Sequence, residues 1–120
     1  MNTLKNKNIL QEKYFTVGKK HINNNKALLP NVLYQEMEHF VNCIISNYKD
    51  LVLPTPQLFK LQILKNAYLN DKLILSANIK RLDELEFYLS VEVNNQQKTD
   101  NPICKAIFKF ELLENISKAS

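Results

Sequence analysis

Hydrophobic positions along the chain follow two different periods. From Pro30 onward, Leu33, Met37, Phe40, Val41, Ile44, Ile45 and Tyr48 recur at helical spacing and form one broad apolar stripe. The opposite side carries Gln35, His39, Asn42 and Ser46. Pro30 suits a first helical turn, where its missing N–H costs nothing. Asn31 is a residue type that caps helices. Pro54 and Pro56 rule out further helix after Asp50.

Elsewhere the period is two. Ile9 to Val17 is strand-like, with Tyr14, Phe15, Thr16 and Val17 suited to a pleated surface. Gln57 to Leu64 alternates Phe59, Leu61 and Ile63 against Lys60 and Gln62. Lys72 to Lys80 sets Leu73, Leu75, Ala77 and Ile79 against Ser76 and Asn78. Glu84 to Val93 is the clearest, with Leu85, Phe87, Leu89, Val91 and Val93 opposed by Glu86, Tyr88, Ser90 and Glu92. Cys104 to Leu113 places Ala106, Phe108, Phe110 and Leu112 opposite Lys105, Lys109 and Glu111. Period two with one apolar face predicts a half-solvated antiparallel sheet.

The predicted order is therefore strand, long helix, then four strands. The helix stripe must be buried, and the apolar face of the sheet is the available partner, wrapped around the helix. The predicted class is α+β. One helix covers only part of such a face, and edge strands remain unpaired. Both features predict a homodimer, and edge pairing would join two sheets into one; a tetramer or larger assembly is an extension of that.

Composition narrows the class. The 120 residues are 45% hydrophobic and 23% charged, enough for one core without disulfide or metal staples. One domain is expected over residues 9–116, between a polar flexible leader at 1–8 and a short flexible tail at 117–120. The leader lacks the apolar stretch of a signal peptide, and no run approaches a membrane span. Cys43 and Cys104 lack the spacing of a zinc site or redox pair and read as small buried hydrophobes in a reducing cytoplasm. No metal or cofactor is implied. The net charge is +4, but the basic residues are scattered apart from Lys19-Lys20, without the interleaved aromatics of a nucleic-acid surface. No nucleic-acid partner is expected, while a mild positive potential suits phosphate-bearing ligands. Gly18 is the only glycine, so turns fall to Asn, Asp and Pro, and a glycine-rich phosphate loop is excluded.

The segment of greatest chemical interest runs from His21 to Phe40, HINNNKALLPNVLYQEMEHF. It is a polar loop entering a helix N-terminus, where backbone N–H groups favour negative charge. A developing oxyanion is stabilised at such a place. Glu36 and Glu38 flank the apolar stripe, and a partly desolvated carboxylate there suits general-base work on water. His39 faces away from the stripe and reads as a surface residue. Tyr34 reads as a packing residue that could also gate a pocket.

These residues resemble the hotdog-fold acyl-CoA thioesterases. In that family a His-x-Asn loop runs through Leu-Phe-Gly-Gly into the central helix, where an Asp follows. His21 and Asn23 match the His-x-Asn places, Leu28-Leu29 the Leu-Phe places, and Glu38 the Asp. The resemblance continues through FKLQILKNAYLNDKLILSANIKR, with Asn70-Asp71 at a Gly-Asp turn, and through LEFYLSVEV and ICKAIFKFEL. It implies a hotdog fold, hydrolysis of an acyl-CoA or acyl-carrier-protein thioester, and roles for Asn23 and Glu38 in positioning and activating water, often across a dimer interface. Pro30-Asn31 replaces the glycine pair and Lys26 an upstream glycine, so an oxyanion donor must come from Asn31 or Val32. A second resemblance is to the hydroxyacyl-carrier-protein dehydratases, whose MPGVLxxE stretch is similar to LLPNVLYQE; it implies Glu36 paired with His21. A third reading is a non-catalytic hotdog protein that binds an acyl chain. Across these readings the candidate catalytic residues are Asn23, Glu38, His21 and Glu36, with Asn31, Val32 and Tyr34 as substrate contacts.

Overall fold

A computed structural model describes residues 11–53, 55–82, 86–97 and 101–113. The expected leader, the expected tail and the Glu84-Leu85 start of the fourth predicted strand lie outside the described residues. In chain order the elements are β1 (Gln11–Thr16), α1 (Pro30–Ile45), β2 (Gln57–Ile63), β3 (Lys72–Leu82), β4 (Phe87–Asn95) and β5 (Cys104–Phe110). This is the order the two periods predict.

The described strands form one five-stranded sheet in the order β1-β3-β4-β5-β2. Every neighbouring pair is antiparallel. Leu73, Leu75 and Ala77 of β3, Leu89, Val91 and Val93 of β4, and Ala106, Phe108 and Phe110 of β5 line the inner face. Leu33, Met37, Phe40, Val41, Ile44 and Ile45 of α1 share one core with that face. Each fully buried side chain of this kind contributes about 1.5–3 kcal/mol relative to exposure, so the helix stripe holds the helix on the sheet. Tyr48 closes the far end of the core, edge-on to Phe87 at 5.4 Å between centroids. Cys104 lies buried with its Sγ 3.9 Å from the Sδ of Met37, and burial pushes its thiol up to about 11.

Several expectations change. Asn31 does not cap the helix: Leu29 is the N-cap, its carbonyl accepting the N–H groups of Val32 and Leu33. Pro30 takes the first helical position, which moves the boundary before Asn31. The helix ends at Ile45 and runs on into a 3-10 turn, Ser46–Tyr48. β4 ends later than predicted. Its last residues, Asn94 and Asn95, pair with Ile74 and Leu73 because β3 offers a long partner strand, and that pairing overrides their poor strand propensity.

In β2 the alternation is interrupted by a bulge between Leu58 and Lys60. Phe59 consequently turns to the outer face and packs on Tyr88, ring centroids 5.1 Å apart. Cys43 is exposed rather than buried, because it lies one turn beyond His39 on the polar side of α1.

Candidate active site

The loop between β1 and α1 is closed on itself. Asn23 is its hub: Oδ1 accepts the N–H of Asn25 at 2.8 Å and that of Ala27 at 3.1 Å. The backbone of Asn23 also pairs with Ala27 and Lys26. Because Oδ1 accepts two backbone donors, the amide nitrogen of Asn23 is the group left facing outward. Lys26 completes the turn with φ 64°, in the left-handed region that favours glycine. Asn70 does the same at φ 74° in the Tyr68–Asp71 turn, where the N–H of Asp71 donates to the carbonyl of Tyr68. Both positions are those at which the resemblance replaces a glycine.

His21 lies against β1. Its Nδ1 accepts the N–H of Gly18 at 2.9 Å, and its ring packs on Phe15 at 5.0 Å between centroids. The loop is held to the turn after β2 by backbone bonds from Leu28 to Ala67 (2.8 Å) and from Leu69 to Lys26 (2.9 Å).

At the helix start most donors are already committed. The N–H of Leu28 goes to Ala67, that of Leu29 to His21, and that of Val32 to Leu29. Pro30 has none. Of the two donors that the sequence nominates, Val32 is spoken for within the first turn, and Asn31 keeps its N–H free of any acceptor among the described residues. Val32 and Tyr34 are partly buried and pack against the core.

The two helix glutamates diverge. Two residues along a helix is a rotation of about 200°, so Glu36 and Glu38 flank α1 on opposite sides. Glu36 faces β1 and forms an ion pair with Lys13, Nζ to Oε1 3.2 Å. Glu38 faces the other way, where its Oε2 lies 3.4 Å from the Tyr34 hydroxyl. The Tyr34 ring packs on Phe108 of β5, centroids 6.3 Å apart, and β5 pairs with the edge strand β2. Burial, then the charge of Glu38 and the hydrogen bond to it, raises the pKa of Tyr34 above its ordinary value. Both glutamates are partly buried.

Asn23 and Glu38 share no hydrogen bond among the described residues, and neither do His21 and Glu36. The residues that do meet are Tyr34 with Glu38 and Glu36 with Lys13. Lys13 was not singled out from sequence, although a lysine two positions before Phe15 in a strand shares the inward face with it. Tyr34 and Glu38 stand four apart on a helix, a spacing that brings side chains together.

No family model matches this chain, and no curated protein matches it. Solved structures do. A hypothetical thioesterase from Streptococcus pneumoniae, determined with coenzyme A, shares 15% identity over 88% of this chain and 86% of its own, with TM-score 0.69. A Streptococcus mutans protein bound to acetyl-CoA matches at 15% identity, 88% and 86% coverage, and TM-score 0.68. The E. coli PaaI protein of the phenylacetic acid degradation operon matches at 14% identity, 85% and 71% coverage, and TM-score 0.68. This chain has the hotdog fold of these structures: one helix packed on a five-stranded antiparallel sheet.

Proposed function

We propose that this chain is an acyl thioester hydrolase that works as a homodimer in the cytoplasm, with Glu38 as general base. The observation that carries the reading is the position of Glu38. It sits on the flank of α1 toward β5 and β2, with Tyr34 as its hydrogen-bond partner. Glu36, by contrast, is paired with a lysine. The coenzyme A and acetyl-CoA bound by the neighbouring folds support a thioester substrate.

In the proposed reaction Glu38 takes a proton from water as the water oxygen attacks the thioester carbonyl. The carbonyl electron pair moves onto oxygen, and the free N–H of Asn31 receives that charge. Collapse breaks the C–S bond, and the departing thiolate takes the proton from Glu38. The products are a carboxylic acid and a free thiol. Asn23 donates its amide N–H to the water, Tyr34 orients Glu38, and Val32 and Tyr34 flank the acyl group.

A distance supports the proposed dimer. Asn31 and Glu38 are seven residues apart, a rise of about 10 Å along one helix. That exceeds what one thioester carbonyl can bridge. In the proposed dimer a two-fold axis at the β2 edge would reverse the second helix and set Asn31 of one chain toward Glu38 of the partner subunit. β2 suits such an edge: Leu58, Phe59, Leu61 and Ile63 are all exposed along it.

His21 and Glu36, the pair of the dehydratase-like register, are held by Gly18 and Lys13 respectively, which favours the hydrolytic register. The test is thiol release from short, long and aromatic acyl-CoA and acyl-carrier-protein substrates, beside the solution mass. Release with a mass of two chains supports the proposal. No release from any substrate overturns it.

A further inference from the structure

The face of α1 turned away from the sheet has an unusual composition. Its exposed residues are Pro30, Asn31, Gln35, His39, Asn42 and Cys43, and none of them is an acid, a lysine or an arginine. Such residues make up 23% of the whole chain, and the solvent face of a helix ordinarily draws on them. On α1 they sit only at the half-buried flanks, as Glu36 and Glu38. Depletion of charge marks the centre of a protein interface. A neutral face also offers nothing to repel a second copy of itself.

On this face two metal-binding side chains meet. His39 and Cys43 stand four apart, a spacing that brings helical side chains together. Nε2 of His39 lies 3.8 Å from Sγ of Cys43. A zinc ion sits about 2.3 Å from a thiolate sulfur and about 2.0–2.1 Å from an imidazole nitrogen, which at the tetrahedral angle holds those two atoms about 3.6 Å apart. The pair is therefore close to the bite that such an ion needs, and both side chains are open to solvent. The two cysteines do not form a zinc motif with each other, because Cys104 is buried against Met37. The helix instead pairs the exposed thiol with a histidine, and the hydrolytic scheme uses neither. Two ligands are half of a tetrahedral set. Among the described residues no third histidine, cysteine or carboxylate joins them.

We infer that His39 and Cys43 form one half of a tetrahedral site for zinc or a similar divalent cation, and that a second copy of this chain, meeting α1 face to face about a two-fold axis, supplies the other half. Each Cys43 thiol gives its proton to solvent as the sulfur binds the ion, and each His39 binds through Nε2 as a neutral ring. Two thiolates balance the two charges of the cation, so the filled site is neutral, as the face around it is. The site is independent of the hydrolase reading and of the dimer proposed at the β2 edge. With that dimer in place, the metal joins two dimers into a tetramer.

The probes are Zn²⁺ and Co²⁺, added to the full chain without a histidine tag and kept reduced by a phosphine, so that no disulfide joins two copies. Whatever the mass of the metal-free protein, Zn²⁺ should double it in light scattering, with one ion bound per two chains, and EDTA should reverse the change. Co²⁺ should give the intense visible bands of a tetrahedral site and a sulfur-to-cobalt charge-transfer band in the near ultraviolet. Cys43→Ser and His39→Ala alter exposed side chains, so each should keep the circular dichroism of the wild type. Each should bind Zn²⁺ at least about 100-fold more weakly and lose the doubling, since even an outer-shell partner of a metal ligand is worth roughly 10–100-fold. The charge-transfer band should vanish in Cys43→Ser. A mass that Zn²⁺ leaves unchanged, one ion bound to each chain, a pale octahedral cobalt spectrum, or doubling that survives in either variant would overturn the shared site.

Discussion

The two long sides of the helix differ, and the proposed chemistry belongs to one of them. On the β1 side, Glu36 is neutralised by Lys13, and the edge strand carries Gln11, Glu12, Lys13 and Thr16. Charges along an edge discourage pairing with another strand. On the β2 side, Glu38 has a phenol beside it, and the edge presents leucine, phenylalanine and isoleucine to solvent. Every residue of β2 is exposed, on both faces. Both strands are edges of the sheet, but on the β1 side the glutamate is paired within a single chain. The other has an unpaired apolar edge next to a carboxylate that is not neutralised by a cation among the described residues. Two glutamates only two positions apart in sequence thus receive opposite environments, because the helix turns one toward each edge.

The largest effect should come from charging the open edge. Leu61→Lys/Ile63→Lys should convert the dimer to a folded single chain, read as a halved mass by light scattering, and should abolish thiol release. A variant that stays dimeric would place the interface elsewhere.

Next, Tyr34→Phe should lower kcat by about tenfold, through loss of the hydrogen bond that orients Glu38, with little change in melting temperature. The phenol itself gives a pH signature. Its pKa is raised in the folded state by burial and by Glu38. The stability it contributes is therefore complete below the unfolded value of about 10 and is lost as pH rises above it. Glu38→Gln should move the Tyr34 phenolate absorbance to lower pH, with Tyr34→Phe as the reference. No movement would mean that the two groups do not interact in solution.

A smaller effect belongs to the closed side. Lys13→Met should cost less than about 1 kcal/mol, since both members of the pair are partly solvated. Its effect on unfolding should shrink with added salt. Smallest is Lys26→Gly, which relieves a left-handed residue. It should stabilise the chain by about 0.5–1 kcal/mol in denaturant titration, a strain relief of about 1–2 kcal/mol being partly offset by the greater freedom of glycine in the unfolded state. Destabilisation there would mean that the Lys26 side chain has a contact of its own.

How far these features are legible in the chain depends on their range. The helix and its stripe from Leu33 to Ile45 are local, set by a 3.6-residue period, and read directly. The order of elements and the antiparallel pairing follow from period two. What escapes is decided by partners distant in sequence. β4 extends through Asn94 and Asn95 because β3 is long enough to pair with them. Phe59 leaves its expected face because a bulge, which alternation does not encode, shifts the register. Asn31 misses the cap because Pro30 takes the first helical position, although both residues are plain in the sequence. In the candidate site, spacing places Glu36 and Glu38 beside the stripe, but only the tertiary structure tells which edge each one meets. Lys13 comes from another element, and the pair it makes with Glu36 is invisible along the chain. Lys26 and Asn70 are a partial exception: the resemblance sets each where a glycine is expected, and both adopt the conformation glycine would.

The most direct measurement is thiol release from acyl-CoA by wild type, Glu38→Gln and Glu36→Gln, each checked for folding and mass. Glu38 as the base predicts a kcat lower by at least about 100-fold in Glu38→Gln, the scale of a lost general base, and a change of no more than a few-fold in Glu36→Gln. The reverse pattern, with Glu36→Gln inactive and Glu38→Gln near wild type, would contradict it and move the chemistry to the β1 side of the helix.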